Sequence, residues 1–420
     1  MKKIYMLAFA LTAAVATSLS GCGNINETVN DNTLENSTIS SSVSDDEKQE
    51  NKTDNITPLS GNVTADNSED TTYTKRDLEQ TADTSDAKTI SVTDGETISI
   101  TSEGVYVISG TAEDCTIKVD ADENAKVQLV LDGVNISNSN FPAIYIVSAD
   151  KVFITTTDSE NTLSVSGQFI ADGDTNTDAV IFSKEDLVLN GTGTLNIISN
   201  YANGISCKDD MKVTGGTYNM QTALDSFEAN DSISVSDGVF NITTNKDGFH
   251  CENSEAEGTI IISGGTFNIN GKSDGIQACA LLQIDGGTMD ISASEGLEAT
   301  YILINDGDIN IYATDDGINA STGTNTYETA IEINGGYLNV EVGQGDTDAL
   351  DANGSIYVNG GKINVTAQMS SFDYDRTAEF NGGTIIINGT EVSEIPQSMM
   401  GGGMAGGMRG GMGPGRGGRF

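Results

Sequence analysis

A pair of glycines followed by an alternating apolar run recurs along the second half of this chain, and the copies share one register. The second glycine marks that register, and successive markers stand 20 to 29 residues apart: Gly216, Gly238, Gly265, Gly287, Gly307, Gly336, Gly361 and Gly383. A degenerate copy from Gly191 to Ile197 extends the series. Strand-like alternation at this period, without helical periodicity, predicts a coiled solenoid whose repeats bury their apolar faces against their neighbours.

Each repeat reads as three short strands around an apolar interior. Apolar residues stand five and three positions before the marker, as Ile233 and Val235 do before Gly238, with the period of two that strands show. After the marker comes an apolar-Asn-apolar triplet, and its first members should stack in one internal column: Tyr218, Phe240, Phe267, Met289, Ile309, Leu338 and Ile363. The sequence therefore predicts an all-β fold, a right-handed parallel β-helix (solenoid) from residue 89 to residue 397.

The third strand of most repeats begins with an acid. These acids form one row, and neutral Asn203 and Ser370 stand at the equivalent positions on either side: Asp225, Asp247, Asp274, Glu295, Asp316 and Asp348. Rungs of a sheet lie about 4.8 Å apart, so neighbouring carboxylates repel by ~1 kcal/mol in a water-like dielectric and by ~3 kcal/mol or more at an effective dielectric near 20. The row therefore needs a cation, protonation, or side chains turned into water.

A second outward row, three residues further on, adds negative charge and includes the lone His250, which we expect on the surface. Oxygen ligands suit Ca²⁺, a hard cation. The two rows supply the candidate metal ligands: Asp225, Glu228, Asp247, Asp274, Glu295, Glu298, Asp316, Asp348 and Asp351. The alternative is that these acids only make the corner turn by accepting hydrogen bonds from local backbone N–H groups.

The asparagines between two inward residues must face outward, and they form a row of stacked amides. The candidates for carbohydrate binding in this row are Asn219, Asn241, Asn268, Asn310 and Asn339. Such amides can hydrogen-bond to each other along the stack, or they can form a polar strip with the flanking threonines that binds sugar hydroxyls. The two interpretations are compatible.

The first residues predict a signal peptide. Two lysines precede an apolar stretch at residues 4–15 that is too short to span a membrane, and Leu19-Ser20-Gly21-Cys22 follows. This pattern is typical of a bacterial lipoprotein signal, residues 1–22. It predicts cleavage before Cys22, a lipid on the thiol of Cys22, and a chain anchored to the outer face of the cell membrane.

Polar and glycine-rich segments flank the predicted solenoid. Residues 23–88 are rich in Asn, Ser, Thr and Asp and predict a disordered acidic linker. Residues 398–420 consist largely of Gly, Met and Arg and predict a disordered tail. The body between them holds 47 acids and 10 bases. That charge disfavours nucleic acid as a partner, and an acidic polymer could bind only through bridging cations.

Four cysteines remain besides Cys22. Cys207 and Cys251 occupy the same inward position two rungs apart, with Ala229 between them, so their Cα atoms should be roughly 9 to 10 Å apart and cannot be joined by a disulfide.

Several segments resemble a family of bacterial surface lipoproteins that carry a carbohydrate-binding domain. The likeness covers about residues 89–389, and its motifs are Val127–Ile136, Ala149–Ile154, Ala179–Asp186 and the repeated Asp-Gly-Ile-x-Ala. The resemblance implies a parallel β-helix that binds calcium and the plant cell-wall polymers cellulose and pectin.

This chain departs from the family pattern at three points. Ser226 replaces the glycine in one repeat and Ser370-Ser371-Phe372 stands in the last, which puts calcium at those rungs in doubt. The chain has no Trp, so an aromatic platform for cellulose must come from tyrosines such as Tyr201, Tyr301 or Tyr337.

The leading hypothesis is a non-catalytic, monomeric, cell-surface module that binds polysaccharide (pectin or polygalacturonate, cellulose or another wall glycan) with help from Ca²⁺. The alternative is a Ca²⁺-dependent pectate lyase or a polygalacturonase-like enzyme, because such enzymes share this architecture. A lyase of that kind needs a base such as Arg in the acid groove, and Arg376, the one Arg of the body, should instead pair with neighbouring acids. A hydrolase needs carboxylates at set separations, and regular stacking singles out none. A structural or adhesive role without a defined glycan is the third hypothesis.

Overall fold

The computed structural model describes residues 72–396 except 254, 256 and 346. The predictions for Cys22, for the linker before residue 72 and for the tail after residue 396 lie outside the described residues. The described part is all-β and contains no helix. Accordingly, no helix in this part could cross a membrane.

The described part of the chain forms 34 strands. In the first half they are β1 Lys88–Ser91, β2 Thr97–Ile100, β3 Gly104–Glu113, β4 Thr116–Asp120, β5 Lys126–Asn138, β6 Ile144–Ser148, β7 Lys151–Thr156, β8 Glu160–Val165, β9 Ala179–Ser183, β10 Asp186–Gly191, β11 Thr194–Ser199, β12 Asn203–Cys207, β13 Asp210–Thr222, β14 Phe227–Ala229, β15 Ser232–Thr244 and β16 Phe249–Cys251. They continue with β17 Thr259–Ile262, β18 Thr266–Asn270, β19 Asp274–Ala278, β20 Leu281–Ile284, β21 Thr288–Ala293, β22 Glu295–Ala299, β23 Tyr301–Ile304, β24 Asp308–Ala313, β25 Ile318–Ala320, β26 Ala330–Ile333, β27 Tyr337–Val342, β28 Asp348–Ala352, β29 Ser355–Val358, β30 Lys362–Thr366, β31 Ser370–Tyr374, β32 Ala378–Phe380, β33 Thr384–Ile387 and β34 Thr390–Val392.

These strands coil into a parallel β-solenoid of about 12 turns with three faces. The first face contains β7, β10, β17, β20, β23, β26, β29 and β32, and the second face contains β8, β11, β18, β21, β24, β27, β30 and β33. The long strands β3, β5, β13 and β15 bend and run through both of these faces. The third face is a separate parallel sheet of 12 strands, β2, β4, β6, β9, β12, β14, β16, β19, β22, β25, β28 and β31.

The predicted glycine markers lie at the bend between the first and second faces. All eight have positive φ, from 78° at Gly361 to 137° at Gly238, a region that side chains with a Cβ rarely enter. At Gly238 a Cβ would also come within 2.9 Å of the Phe240 ring. The glycines therefore allow the chain to turn while the ring of the next strand fills the interior.

The predicted internal column is confirmed. Tyr218, Phe240 and Phe267 are paired rung by rung in the ladder, and their rings stack at centroid distances of 5.4 Å and 4.6 Å. Phe227 and Phe249 of the third face stack at 4.7 Å and meet this column edge to face. These rings are almost completely buried and form an aromatic cluster within the core.

The cysteine prediction agrees with the ladder. Cys207 pairs with Ala229, and Ala229 pairs with Cys251 one turn further on. Cys115, Cys207, Cys251 and Cys279 are buried free thiols.

Residues 72–80, here called the N-terminal strap, lie across the outside of the first face. Gln80 donates from Nε2 to the Thr214 carbonyl (2.8 Å) and accepts at Oε1 from the Gly191 amide (2.9 Å). The linker prediction assigned these residues to a disordered segment, and the structure differs because outward side chains of the first face provide a partner that composition alone does not reveal.

The last strand reverses direction. β34 pairs antiparallel with β33 through Ile385–Val392, whereas every other named pair is parallel.

Candidate functional site

The acid row lies where the chain enters the third face. Asp225, Asp247, Asp274 and Glu295 are 1% to 8% exposed, so these carboxylates do not point freely into water. Between most rungs, each acid accepts a hydrogen bond from the backbone amide of the next. Asp225 Oδ1 accepts from the Asp247 amide (3.1 Å), Asp247 Oδ1 from the Asp274 amide (3.0 Å) and Asp316 Oδ1 from the Asp348 amide (2.8 Å). The turn chemistry considered above is therefore present, but it links successive turns of the solenoid.

Basic groups of the chain itself accompany the first acids of the row. Lys246 Nζ lies 2.8 Å from Asp225 Oδ2 and 3.7 Å from Asp247 Oδ2. Lys208 Nζ lies 3.3 Å from Glu228 Oε1. These ion pairs balance charge that a metal would otherwise have to balance.

His250 faces outward from the third face, as expected, but neighbouring acids cover most of its side chain. Its side chain is 15% exposed, with Nδ1 3.0 Å from Asp247 Oδ2 and Nε2 3.7 Å from Glu252 Oε2. Burial lowers the pKa of His250, but the hydrogen bonds to Asp247 and Glu252 outweigh it and raise the pKa to about 10. The imidazole is therefore a cation at neutral pH and belongs to the basic side of this charge balance.

The next three carboxylates form a different environment. Ligand oxygens of Asp274, Glu295 and Glu298 lie within 4.8 Å of one another, and all three side chains are buried. No salt bridge to any of the three occurs within the described part of the chain. Their neighbours are neutral: Gln277 and Ser321 donate to Glu298, and Asn319 donates to Glu295 (2.8 Å).

The amide ladder of the row breaks at this cluster. The Glu295 amide bonds to the Ser273 carbonyl (3.3 Å), and Asp274 Oδ1 is a buried atom without a hydrogen-bond partner. Burial and the neighbouring Asp247, Glu295 and Glu298 carboxylates raise the pKa of Asp274 well above its usual range. Burial and Glu298 raise the pKa of Glu295 to about 8. The cluster must therefore bind protons or a cation.

This donor set fits a hard divalent cation. All the close ligand atoms are oxygens, one buried oxygen lacks a partner, and the negative charge has no basic neighbour. Asp274, Glu295 and Glu298 would hold the ion. Asp316, Asp348 and Asp351 continue the rows on the next turns and are half-buried. Burial and the acids Asp316 and Asp348 raise the pKa of Asp351 to about 7.

The asparagine row lies on the outside of the second face, as predicted. Asn219 Nδ2 donates to Asn196 (2.8 Å), Asn241 to Asn219 (2.9 Å) and Asn268 to Asn241 (3.4 Å). The row is interrupted where Asp290 replaces asparagine, and Asn310 bonds to Asp308 (3.5 Å) instead. It resumes where Asn364 donates to Asn339 (2.6 Å).

An open cavity of about 660 Å³ lies over the start of this row. The Glu160 carboxylate and the apolar Ile197, Ile198 and Met220 line it together with these amides and hydroxyls: Thr162, Asn196, Asn219, Gln221, Asn241 and Thr243. Two of the predicted carbohydrate-binding asparagines, Asn219 and Asn241, therefore lie in one cavity. Asn268, Asn310 and Asn339 lie further along the same face, outside the cavity lining.

A second amide ladder escaped the sequence analysis. It follows the bend before the glycine markers, where Asn305 donates to Asp285 (2.6 Å), Asn334 to Asn305 (2.8 Å), Asn359 to Asn334 (2.9 Å) and Asn381 to Asn359 (2.9 Å). The recurring Asn-Gly-Gly of these repeats was the signal that could have revealed it.

The tyrosines proposed as a platform differ in exposure. Tyr201 is 59% exposed, whereas Tyr301 bonds to Glu332 and packs near Tyr327, and Tyr337 lies beneath Lys362. Tyr312, which the sequence analysis did not select, is 45% exposed on the second face.

Arg376 is exposed just after β31, four turns of the third face beyond the Asp274 rung. At about 4.8 Å per rung that separation is roughly 19 Å along the axis. The guanidinium and the buried carboxylate cluster are therefore not one site.

Fold and surface together define a class of protein: a parallel β-solenoid that repeats an acidic row on one face and an amide row on another. Residues 94–349 and 295–393 match the family model described as carbohydrate-binding domain-containing protein. The chain belongs to this family.

One relative and one solved structure can be compared in detail. A carbohydrate-binding domain-containing protein of Acetivibrio thermocellus is 38% identical over 122 residues, which span 28% of this chain and 43% of that protein. A structure described as the polysaccharide lyase-like protein from C. thermocellum, gadolinium derivative, is 22% identical, covers 74% of this chain and 99% of that chain, and has a TM-score of 0.33.

Proposed function

We propose that this chain is a non-catalytic, cell-surface protein that binds polysaccharide through the amide row of its second face. The open cavity over Asn196, Asn219 and Asn241 carries the proposal. It presents amide and hydroxyl groups that suit sugar hydroxyls beside the Glu160 carboxylate, and its asparagine side chains are held in place by the ladder bonds between them. Family membership supports carbohydrate as the ligand.

A polymer suits this surface better than a single sugar. Outward asparagines and threonines recur on successive turns beyond the cavity, for example at Asn268 and Thr266. A long chain laid along the axis would meet the same groups repeatedly, and its affinity would increase with the number of turns it contacts. Plant cell-wall glycans such as cellulose and pectin are the candidates that we propose.

The acid row supports binding without cleavage. Asp274 and Glu298 are each 2% exposed, so a glycosidic bond could not reach a pair of carboxylates there. The exposed guanidinium of Arg376 is roughly 14 to 19 Å along the axis from that cluster, by the rung spacing. A lyase that pairs a cation in this buried cluster with Arg376 as the base would need the two together.

Calcium assists this function in our proposal by holding the solenoid together. The ion would supply positive charge to Asp274, Glu295 and Glu298, whose burial places it inside the third face. Cations that bridge to an acidic polymer would bind at the half-buried Asp316, Asp348 and Asp351 instead. We further propose that the protein is a monomer anchored at the cell surface through a lipid on Cys22.

Two matched double variants test the glycan surface. Asn219→Ala with Asn241→Ala removes two amides from the cavity, and Asn334→Ala with Asn359→Ala removes two amides from the other ladder. Each hydrogen bond contributes about 0.5–1.5 kcal/mol, so the first variant should bind insoluble cellulose or pectate about tenfold more weakly than wild type. The second variant should bind with nearly wild-type affinity. Sedimentation with the polymer measures both.

The same samples should be assayed for unsaturated products and for new reducing ends, with and without EDTA. Equal binding by the two double variants would contradict the amide surface. Turnover that disappears in Arg376→Ala would contradict the non-catalytic assignment.

A further inference from the structure

Several outward-facing residues of the first face are buried, and the N-terminal strap covers them. Phe153 and Thr155 alternate with inward residues of β7, and Val188 and Asn190 do the same in β10, yet each is at most 2% exposed. The Arg76 guanidinium lies 4.3 Å from the Phe153 ring centroid. Beneath the strap the first face thus presents an aromatic ring, an amide and a hydroxyl, and the surface that the strap covers is here called the cleft.

Two lysines of this cleft surround a carboxylate of the strap. Asp77 is completely buried, with Oδ1 3.9 Å from Lys151 Nζ and Oδ2 3.7 Å from Lys212 Nζ. The lysine side chains are only 13% and 17% exposed. In a body with 47 acids and 10 bases, this cleft thus brings together two mostly buried lysines, although Asp186 also lies beside Lys151.

The carboxylate of Asp77 fits this site incompletely. Both lysine distances exceed the roughly 2.7–2.9 Å of a charge-assisted hydrogen bond. Oδ2 accepts from the Thr74 amide (2.9 Å), but Oδ1 has no hydrogen-bond partner. Lys212 donates to the Thr72 carbonyl instead, and Lys151 also lies 3.4 Å from Asp186. A buried carboxylate in this state contributes little net stability.

We propose that the cleft beneath the strap is a second ligand site, for the carboxylate of an acidic sugar polymer, which competes with Asp77. Lys151 and Lys212 receive the carboxylate, and the ring of Phe153 packs against the apolar side of the sugar. This site goes beyond the proposed function because it lies on another face and requires no calcium.

The first experiment compares Asp77→Asn with Asp83→Asn. Both changes remove one negative charge from the same segment, but Asp83 is exposed and bonds only to Ser85 nearby. In EDTA, Asp77→Asn should bind galacturonate oligomers about tenfold more tightly than Asp83→Asn, equivalent to one charge-assisted contact. Adding Lys151→Met and Lys212→Met should abolish the gain, and a neutral glucan should show none.

A second measurement leaves Asp77 in place. The chain has no tryptophan, so Leu78→Trp at a half-exposed position gives fluorescence from the strap alone. Galacturonate oligomers in EDTA should shift this emission as the strap leaves, and the neutral glucan should not.

Two results would overturn the proposal. One is an unchanged Leu78→Trp emission at oligomer concentrations that saturate binding. The other is a gain in Asp77→Asn that Asp83→Asn shares, or that persists without the two lysines. The amide row of the second face is intact in all these variants, so the test of that row with the asparagine variants is independent of this one.

Discussion

Among single residues, the carboxylates of the acid row differ in what balances their charge. Lys246 and His250 accompany Asp225 and Asp247, whereas Glu295 and its two acidic neighbours have only neutral donors. Burial and the carboxylate of Asp247 raise the pKa of Asp225. At Asp247 burial also acts to raise the pKa, but His250 and Lys246 outweigh it and the pKa of Asp247 is lowered. The same row therefore contains an ion-paired part and a part that must bind protons or a cation.

The cluster around Glu295 predicts a pH-dependent stability. The pKa of Glu295 is raised from 4.5 to about 8, so its stabilising contribution is complete below pH 4.5 and is lost as pH rises through about 8. In EDTA, the free energy of unfolding should fall by something on the order of 3 kcal/mol between about pH 5 and about pH 8. Urea denaturation followed by circular dichroism measures this fall.

Calcium and two variants separate the causes of that fall. Ca²⁺ should reduce the fall in the free energy of unfolding because the ion stabilises the ionised carboxylates. At 100 times its Kd, the bound ion stabilises the folded protein by about 2.7 kcal/mol. Glu295→Gln should flatten the profile in EDTA, whereas Glu341→Gln, an exposed acid on β27, should not. If neither calcium nor Glu295→Gln changes how the free energy of unfolding depends on pH, the cluster has no role in stability.

The strand ladders show which features the sequence could reveal. The three strands per turn, the glycine bends and the Phe240 column follow from local periodicity, and the structure confirms them. The ion pair between Asp225 and Lys246 could not be predicted from local periodicity. Lys246 reaches Asp225 from the following turn, and that contact exists only after the turns stack. The strap was missed for a similar reason, since its hydrogen-bond partners on the solenoid lie 52 to 140 residues away.

The amide ladder of the second face breaks where Asp290 replaces asparagine, and restoring an amide there should stabilise the solenoid. Asp290 pairs with Asn268 on one side and Asn310 on the other. Asp290→Asn supplies both a donor and an acceptor at this rung, so the free energy of unfolding should rise by about 0.5–1.5 kcal/mol. Urea denaturation at high salt removes the contribution of the charge itself.

A matched control is Glu341→Gln, which removes an equal charge without extending a ladder. If it stabilises the protein as much as Asp290→Asn does, the gain comes from charge and not from the amide bonds.

For the whole molecule, the sequence predicts attachment to a membrane. Replacing the thiol that would carry the lipid, Cys22→Ser, should move the protein from the membrane fraction to the soluble fraction. Ser18→Ala, a small change upstream of the Leu19-Ser20-Gly21-Cys22 motif, should leave it in the membrane fraction. Membrane fractionation and immunoblotting decide this, and a Cys22→Ser protein that stays with the membrane would refute lipidation.

The reversal at β34 affects how copies of the solenoid can meet. An open parallel edge offers unpaired backbone groups to the next chain, and rods with two such edges can join into fibrils. Here β34 occupies the edge of β33 in the opposite direction, so another copy that approaches this edge cannot continue the parallel ladder of the second face. The hairpin therefore blocks end-to-end joining through the second face, which would matter most where many copies are crowded side by side.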